Sequence, residues 1–387
     1  MPRGPQIGLS LPIAAAHLDG GDVIVAGFDA AGGAIRVQRL SPKDEVVAEH
    51  AVLGNLKWSP EADIKVAAAT GGVFLTWRGM RSGKLVRTLV VLGADLTPKG
   101  EPVDVTATSC MTSDAFFYSD GARVQKRTWA GRVSSVALPE DKEATLVCGQ
   151  RSAWAVLDED DRTSFLPLAD DAAAAVPLFE EKEFGEDEQR ERADFSAGDE
   201  LGTVRLGVSG AITLREVKGG VRGPLRTLKT KIQRDDDVVA VDASPRSVVV
   251  AYTEDGTDTC EGGAPSTKVM ALRVDRAGQA EETIELAPGA CERERGPFFT
   301  GIMGDAVVVS WVERLHGIGK SRAPISGLSY RVLAPAGPAQ PLARVDQAAD
   351  GIADAGCDKR LCYAVALTRK PGASVMVPGI ARVLRFQ

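Results

Sequence analysis

RSVVVAYTEDG, residues 246–256, holds an uncharged run from Val248 to Thr253 between a polar entry, Arg246 and Ser247, and a polar exit, Glu254, Asp255 and Gly256. β-Branched and aromatic residues in an unbroken short run suit a strand buried on both faces, and acid–acid–glycine suits the turn that ends it. The same shape returns along the whole chain: DVIVAGF from Asp22, GGVFLTW from Gly71, SDAFFYSDG from Ser113, SAWAVLDED from Ser152, GTVRLGVSG from Gly202, DAVVVSWVE from Asp305 and LCYAVALT from Leu361. With the opening stretch that makes eight copies, roughly 40 to 60 residues apart. Helical periodicity is nearly absent.

Each copy is followed by further strand-like runs, such as AIRVQRL from Ala34, KVMALRV from Lys268 and GLSYRVL from Gly327, then PVDVTATS from Pro102 or DVVAVDAS from Asp237. A repeat of about 45 residues with up to four short antiparallel strands predicts a β-propeller, in which each blade buries its faces against its neighbours. The apolar run of each repeat is expected to be the innermost strand. QIGLSLPIA near the start and GIARVLRFQ at the end are both strand-like, so residues 1–14 are expected to supply a closing strand that pairs with the C-terminal one and removes an exposed edge. The expectation is an all-β, single-domain propeller over residues 1–387, of seven or eight four-stranded blades. The count favours eight, with the Gly202 copy the weakest. A pair of β-sandwiches is the alternative; the similarity of the units from end to end argues against it.

On these repeats the chain resembles β-propeller repeat proteins, and in particular the exported propellers of myxobacteria and related bacteria, whose repeats run from a small residue or Cys through a four-residue turn into an apolar strand. No GH…WD pair, kelch spacing or sialidase Asp box is present; SDGARVQKRTW from Ser119 has the residues of an Asp box at the wrong spacing. The resemblance implies architecture and leaves activity open.

The net charge of −7, with acids and bases mostly interspersed, argues against nucleic acid as a partner. No apolar run reaches the ~18 to 20 residues of a membrane-spanning helix. Cys110, Cys148 and Cys357 fall at one repeat position, in the turn entering the apolar strand. Zinc-type spacing and a redox CxxC pair are both missing. Disulfides are therefore expected: Cys357–Cys362 across a tight turn, Cys260–Cys291 between two loops on the same face of a blade, and Cys110–Cys148 between neighbouring repeats. Six pairable cysteines point to an oxidising compartment, the periplasm or cell surface, with a signal sequence or lipid anchor removed.

The three histidines, His17, His50 and His316, lie in separate repeats and form no metal or triad motif, so neither a catalytic residue nor a metal ligand is assigned. No cofactor is expected; calcium is the one cation that the acidic loops LDEDD and EDGTDTCEGG could take, and neither matches an EF-hand. Carboxylates are the plentiful catalytic material: Asp158, Glu159, Asp160 and Asp161, or Glu254 and Asp255. Between Glu180 and Glu200 there are ten acidic and three basic residues. This run predicts an acidic insertion loop over 179–200, unable to fold alone. It makes the leading contact for a protein partner of basic character, with Phe184 and Phe195 as anchors beside Glu186, Asp187, Glu188 and the 158–161 acids. The function expected is a non-catalytic binding or scaffold propeller of the bacterial cell envelope. The alternative is a carbohydrate-active hydrolase or lyase with paired carboxylates at the channel mouth.

Overall fold

The structure is a computed structural model. It describes residues 7–18, 20–29, 34–53, 63–69, 71–81, 84–105, 109–119, 122–139, 144–159, 162–169, 175–184, 189–232, 238–260, 265–278, 280–291, 293–315, 325–345, 351–357, 360–368 and 379–386.

The first blade holds β1 (Ile7–His17), β2 (Val23–Asp29), β3 (Ala34–Leu40) and β4 (Val46–Leu53). The second holds β5 (Ile64–Ala69), β6 (Gly72–Arg81), β7 (Lys84–Leu92) and β8 (Val103–Val105). The third holds β9 (Ser109–Met111), β10 (Ala115–Ser119), β11 (Arg123–Thr128) and β12 (Val133–Ala137). The fourth holds β13 (Ala144–Cys148), β14 (Ala153–Glu159), β15 (Arg162–Pro167) and β16 (Val176–Glu180). In the fifth, β17 (Gln189–Ala197), β18 (Glu200–Gly207) and β19 (Ala211–Lys218) are completed by an outer edge broken into β20 (Val221–Arg222) and β21 (Arg226–Lys231). The sixth holds β22 (Val238–Ala243), β23 (Ser247–Thr259), β24 (Pro265–Asp275) and β25 (Glu281–Ala290). The seventh holds β26 (Arg293–Met303), β27 (Ala306–Leu315), β28 (Ile325–Leu333) and β29 (Ala343–Val345). The eighth holds β30 (Gly351–Cys357), β31 (Cys362–Thr368) and β32 (Gly379–Phe386), and takes its fourth strand from the start of β1. The fold is an all-β propeller of eight four-stranded antiparallel blades.

The expected pairing of the chain ends is present: Ile7, Gly8 and Leu9 lie opposite Ala381, Ile380 and Gly379. After a register shift, Ile13–His17 pair with β2, so one strand serves two blades. The apolar runs, however, are second strands, hydrogen-bonded on both sides, where the innermost position was expected. A continuous apolar run reports burial on two faces, which any interior strand of a packed sheet has. The true first strands, such as VVAVDA and SCM, are shorter or richer in small residues and carry a weaker signal.

By packing, the chain forms two compact units, 1–146 with 348–387, and 147–347. Within the first, strand alternation places successive side chains of β2 in different cores. Ile24, Ala26 and Phe28 pack with Val73, Leu75 and Trp77 of the second blade. Val23 and Val25 pack with Tyr363, Val365 and Val383 of the eighth. Within the second unit, Val248 and Val250 join Val204 and Leu206 of the fifth blade, while Val249 and Ala251 join Val307 and Val309 of the seventh. Fully burying a Val or Ile contributes about 1.5–3 kcal/mol, and β2 and β23 each contribute in this way to two cores at once.

Third strands carry arginines that complete this packing. Arg39 lies opposite Ile24 on the face toward the second blade, and its Nη1 donates to the Ala94 carbonyl at 2.7 Å in the turn after β7. Arg385 lies opposite Tyr363 and donates to the Gly21 and Ser41 carbonyls of the first blade at 2.9 and 2.8 Å. Arg273 lies opposite Val249 and donates to the Ala334 and Gly337 carbonyls after β28 at 2.5 and 2.6 Å. Each is also held by a carboxylate: Asp22, Asp44 and Glu282 respectively.

Arg273→Met is expected to lower stability by about 1–2 kcal/mol, because it removes a side chain only 4% exposed together with its hydrogen bonds to the Ala334 and Gly337 carbonyls. The shift of the urea midpoint measures it. A second expectation concerns pH. Burial pushes the Asp242 carboxyl up to about 6, against the Ala243 N–H and Thr300 hydroxyl that favour its charged form. A raised carboxyl binds its proton more tightly folded than unfolded, so its contribution is full below the ordinary value of 3.8 and is lost as pH rises through about 6. Asp242→Asn should match the parent at pH 4 and exceed it above pH 7 by up to roughly 3 kcal/mol. Denaturation curves at the two pH values check this.

Candidate functional site

The sixth blade departs from the others in its second hairpin, whose strands span 13 and 11 residues. The inner part of β23, Ser247–Tyr252, is buried; from Thr253 to Thr259 the strand is half-buried to exposed. Threonines at 253, 257 and 259 keep the chain extended, and pairing with β24 runs from Ser247–Asp275 out to Thr259–Pro265 through an irregularity after Asp255. The stretch expected to turn at Glu254–Gly256 is therefore strand.

Two glycines allow the outer hairpin to close on β25. A methyl group at Gly256 or at Gly289 would collide with the Ser266 hydroxyl, so only glycine lets β23 and β25 approach that side chain from both sides. Beyond them the expected disulfide Cys260–Cys291 braces the hairpin to the end of β25, with Cα atoms 5.1 Å apart. Cys357–Cys362 is also present, across directly opposed residues of β30 and β31 with Cα atoms 3.9 Å apart. Cys110 and Cys148 are likewise disulfide-bonded, leaving no free cysteine among the described residues. Cys110, Cys148 and Cys357 lie in the first strands β9, β13 and β30, where the turn after those strands was expected.

Among the described residues, β23 has no strand on its β22 side beyond Tyr252, the outermost residue of that pairing. Among the described residues, seven, Thr253–Thr259, have no strand paired with them on that side; residues 233–237, just before β22, lie outside the described residues. The seven include Glu254, Asp255 and Asp258; Lys268 stands directly opposite Glu254 in β24. Chemically this is an acidic, extended stretch braced by a disulfide.

The 179–200 run folds differently from the expected loop. It forms the end of β16, a 3-10 turn (Glu181–Glu183), all of β17 and the start of β18, and so joins the fourth blade to the fifth. Period-two alternation in QRERADFSA outweighs its charge, and pairing neutralises much of that charge. Glu183 is held bidentately by Arg215 at 2.9 Å on both oxygens, which lowers its carboxyl below the usual value. Glu180 is lowered by Lys182. Arg192 lies between Asp158 and Asp194, and Thr203 donates to Asp194 at 2.8 Å. Burial pushes the Asp194 carboxyl up in spite of those partners.

The two expected anchors are structural. Phe195 is 5% exposed in the core shared by the fifth and sixth blades. Phe184 packs on Phe179 at 5.6 Å, with the Arg205 guanidinium 3.8 Å above its ring. Glu186, Asp187, Glu188, Asp160 and Asp161 lie outside the described residues, and Glu159 ends β14. The described candidate carboxylates are not brought together: Asp158 is in the fourth blade with Arg192, and Glu254 and Asp255 are in the sixth.

No family model and no curated protein matches the chain. It is similar to the WD40 domain of SCAP from fission yeast, with a TM-score of 0.50 and 10% identity over 98% of this chain and 96% of that one. It is also similar to the β-propeller domain of the Trilobed protease from Pyrococcus furiosus, with a TM-score of 0.49 and 7% identity over 86% and 96%. The likeness to the SCAP domain defines the class, a β-propeller, and shows the fold alone. The disulfides point to an extracytoplasmic protein, and among the described residues no helix is long and apolar enough to cross a membrane.

The Cys260–Cys291 bridge spans 31 residues. Replacing both cysteines by serine should cost about 3–4 kcal/mol on a chain-entropy estimate. The loss should concentrate in the hairpin, so amide exchange over Thr253–Lys268 should accelerate while Val248–Ala251 stay protected. Uniform acceleration through the sixth blade would contradict a local brace.

Proposed function

We propose that this chain is a non-catalytic, protein-binding propeller of the bacterial cell envelope that takes a basic, extended segment of its partner along the free edge of β23. The observation that carries this reading is the braced hairpin: seven residues, Thr253–Thr259, bearing three acids, fixed by a disulfide and, among the described residues, unpaired on the β22 side. An extended peptide added to such an edge gains main-chain hydrogen bonds, and alternate side chains provide specificity. The brace lowers the ordering cost of binding. The acids select a basic partner and repel a second acidic edge, which also guards against self-pairing. The disulfides fit work in the periplasm or at the cell surface, outside reducing cytosol.

A fluorescent octapeptide of alternating lysine and valine tests the reading by anisotropy. Binding should weaken at least tenfold in the triple variant Glu254→Gln, Asp255→Asn, Asp258→Asn, and Thr257→Pro, which blocks edge pairing, should abolish it. Unchanged affinity in the triple variant together with loss of solubility would assign the acids to edge protection alone and overturn the proposal.

A further inference from the structure

At the other end of β24 the chain builds a site of opposite charge. The fourth strand of the fifth blade breaks at Gly223–Leu225, between β20 and β21, both of which pair with β19. The break opens a cleft of about 510 Å³ between this edge and the turn after β24, lined by Lys218, Arg222, Arg226 and Arg276, with Val221 and Pro224 among its apolar members. That volume falls within the range of pockets that hold small ligands.

The cations differ in how far they are satisfied. Arg276 is saturated: it donates to Glu216 at 2.5 Å, to Glu200, and to the Pro245 and Ser244 carbonyls at 3.1 and 3.4 Å. Glu200 also lies 3.9 Å from Lys218 Nζ, and the Asp275 carboxylate is turned back onto the Ala277 N–H at 2.9 Å. Every carboxylate of the cleft is thus engaged. Among the described residues, Arg226 and Arg222 hydrogen-bond only backbone carbonyls, Asp275 at 3.1 Å and Pro177 at 3.5 Å. Glu180 and Glu183 feel the Arg222 charge but are held by Lys182 and Arg215. The Nη2 of Arg226 is buried and has no partner. A desolvated guanidinium donor without an acceptor is costly; Arg226 lines the cleft, and a shift of its side chain toward it would let a bound carboxylate accept that bond.

We propose that this cleft binds an acidic peptide segment, its carboxylate held by Arg226 and Arg222 and an adjoining apolar side chain resting on Val221 and Pro224. Val221 is 70% exposed, an apolar surface beside the cations that a bare phosphate would leave in water. The site is independent of the β23 edge.

Calorimetry with the probe acetyl-Val-Leu-Glu, bearing a free C-terminus, tests it against the amide-capped Gln analogue and inorganic phosphate. The acidic peptide should bind with a sub-millimolar Kd, the neutral analogue and phosphate at least tenfold more weakly. Arg226→Met should weaken the peptide at least tenfold. Arg222→Ala, on the exposed strand β20, should do the same without the risk to folding that losing the Asp275 contact brings. No peptide binding at millimolar concentration, equal binding of phosphate, or full affinity in Arg222→Ala would each overturn the proposal.

Discussion

The carbonyls of a turn that follows a third strand have no strand to bond, which leaves them as acceptors for whatever donor the neighbouring blade presents. An arginine from the neighbour's third strand resolves this at three joints, through Arg39, Arg273 and Arg385. The planar guanidinium reaches two acceptors from one rigid fork, which an ammonium holds less well. Because a strand presents alternate residues to alternate faces, the same device points either way. Arg273 shares the face of Val249 and reaches forward to the seventh blade. Arg215, opposite Thr203, shares the face of Leu201 and reaches back to the Leu178 carbonyl and Glu183 of the fourth. Apolar burial drives these cores together; the arginines settle the polar turns at their margins.

How much of this was legible follows from what each signal measures. The eight apolar runs were visible because interior second strands lose water on both faces and are filled mostly by apolar side chains. Their place in the sheet was not visible, since first strands such as IKVAAA and SCM are too short or too small-residued to stand out. The pairs Cys260–Cys291 and Cys357–Cys362 were readable from their places in the repeat, although Cys357 proved to lie in a strand and not in a turn. The acidic run misled, because composition counts charges without their partners, and Arg215, which neutralises Glu183, lies 32 residues away. Its alternation of Ala193, Phe195 and Ala197 just before the Gly198–Asp199 turn was the signal for β17.

The candidate sites were legible in unequal parts. The acids of TEDGTD were noticed, but as a turn; only the threonines among them and the close approach at Gly256 and Gly289 reveal an extended, braced hairpin. The basic cleft escaped notice. Lys218, Arg222 and Arg226 recur in KGGVRGPLR, an edge interrupted by glycine and proline, yet Arg276, whose bonds occupy the nearby glutamates, arrives from the next blade. A site assembled at a joint between repeats has no contiguous motif.

β24 ties the two sites to one rigid element. Its middle is buried, with Arg273 anchored to the seventh blade, while acids cluster beyond Thr267 and cations beyond Asp275. An antiparallel strand of this length spans roughly 26 Å between those residues. That exceeds the screening length of about 8 Å at physiological ionic strength, so neither field quenches the other across solvent. Opposite charges on adjoining blades would ordinarily collapse into salt bridges. Here the strand holds them apart, which leaves an acidic edge and a basic cleft each able to meet a partner of its own sign preference at the same time.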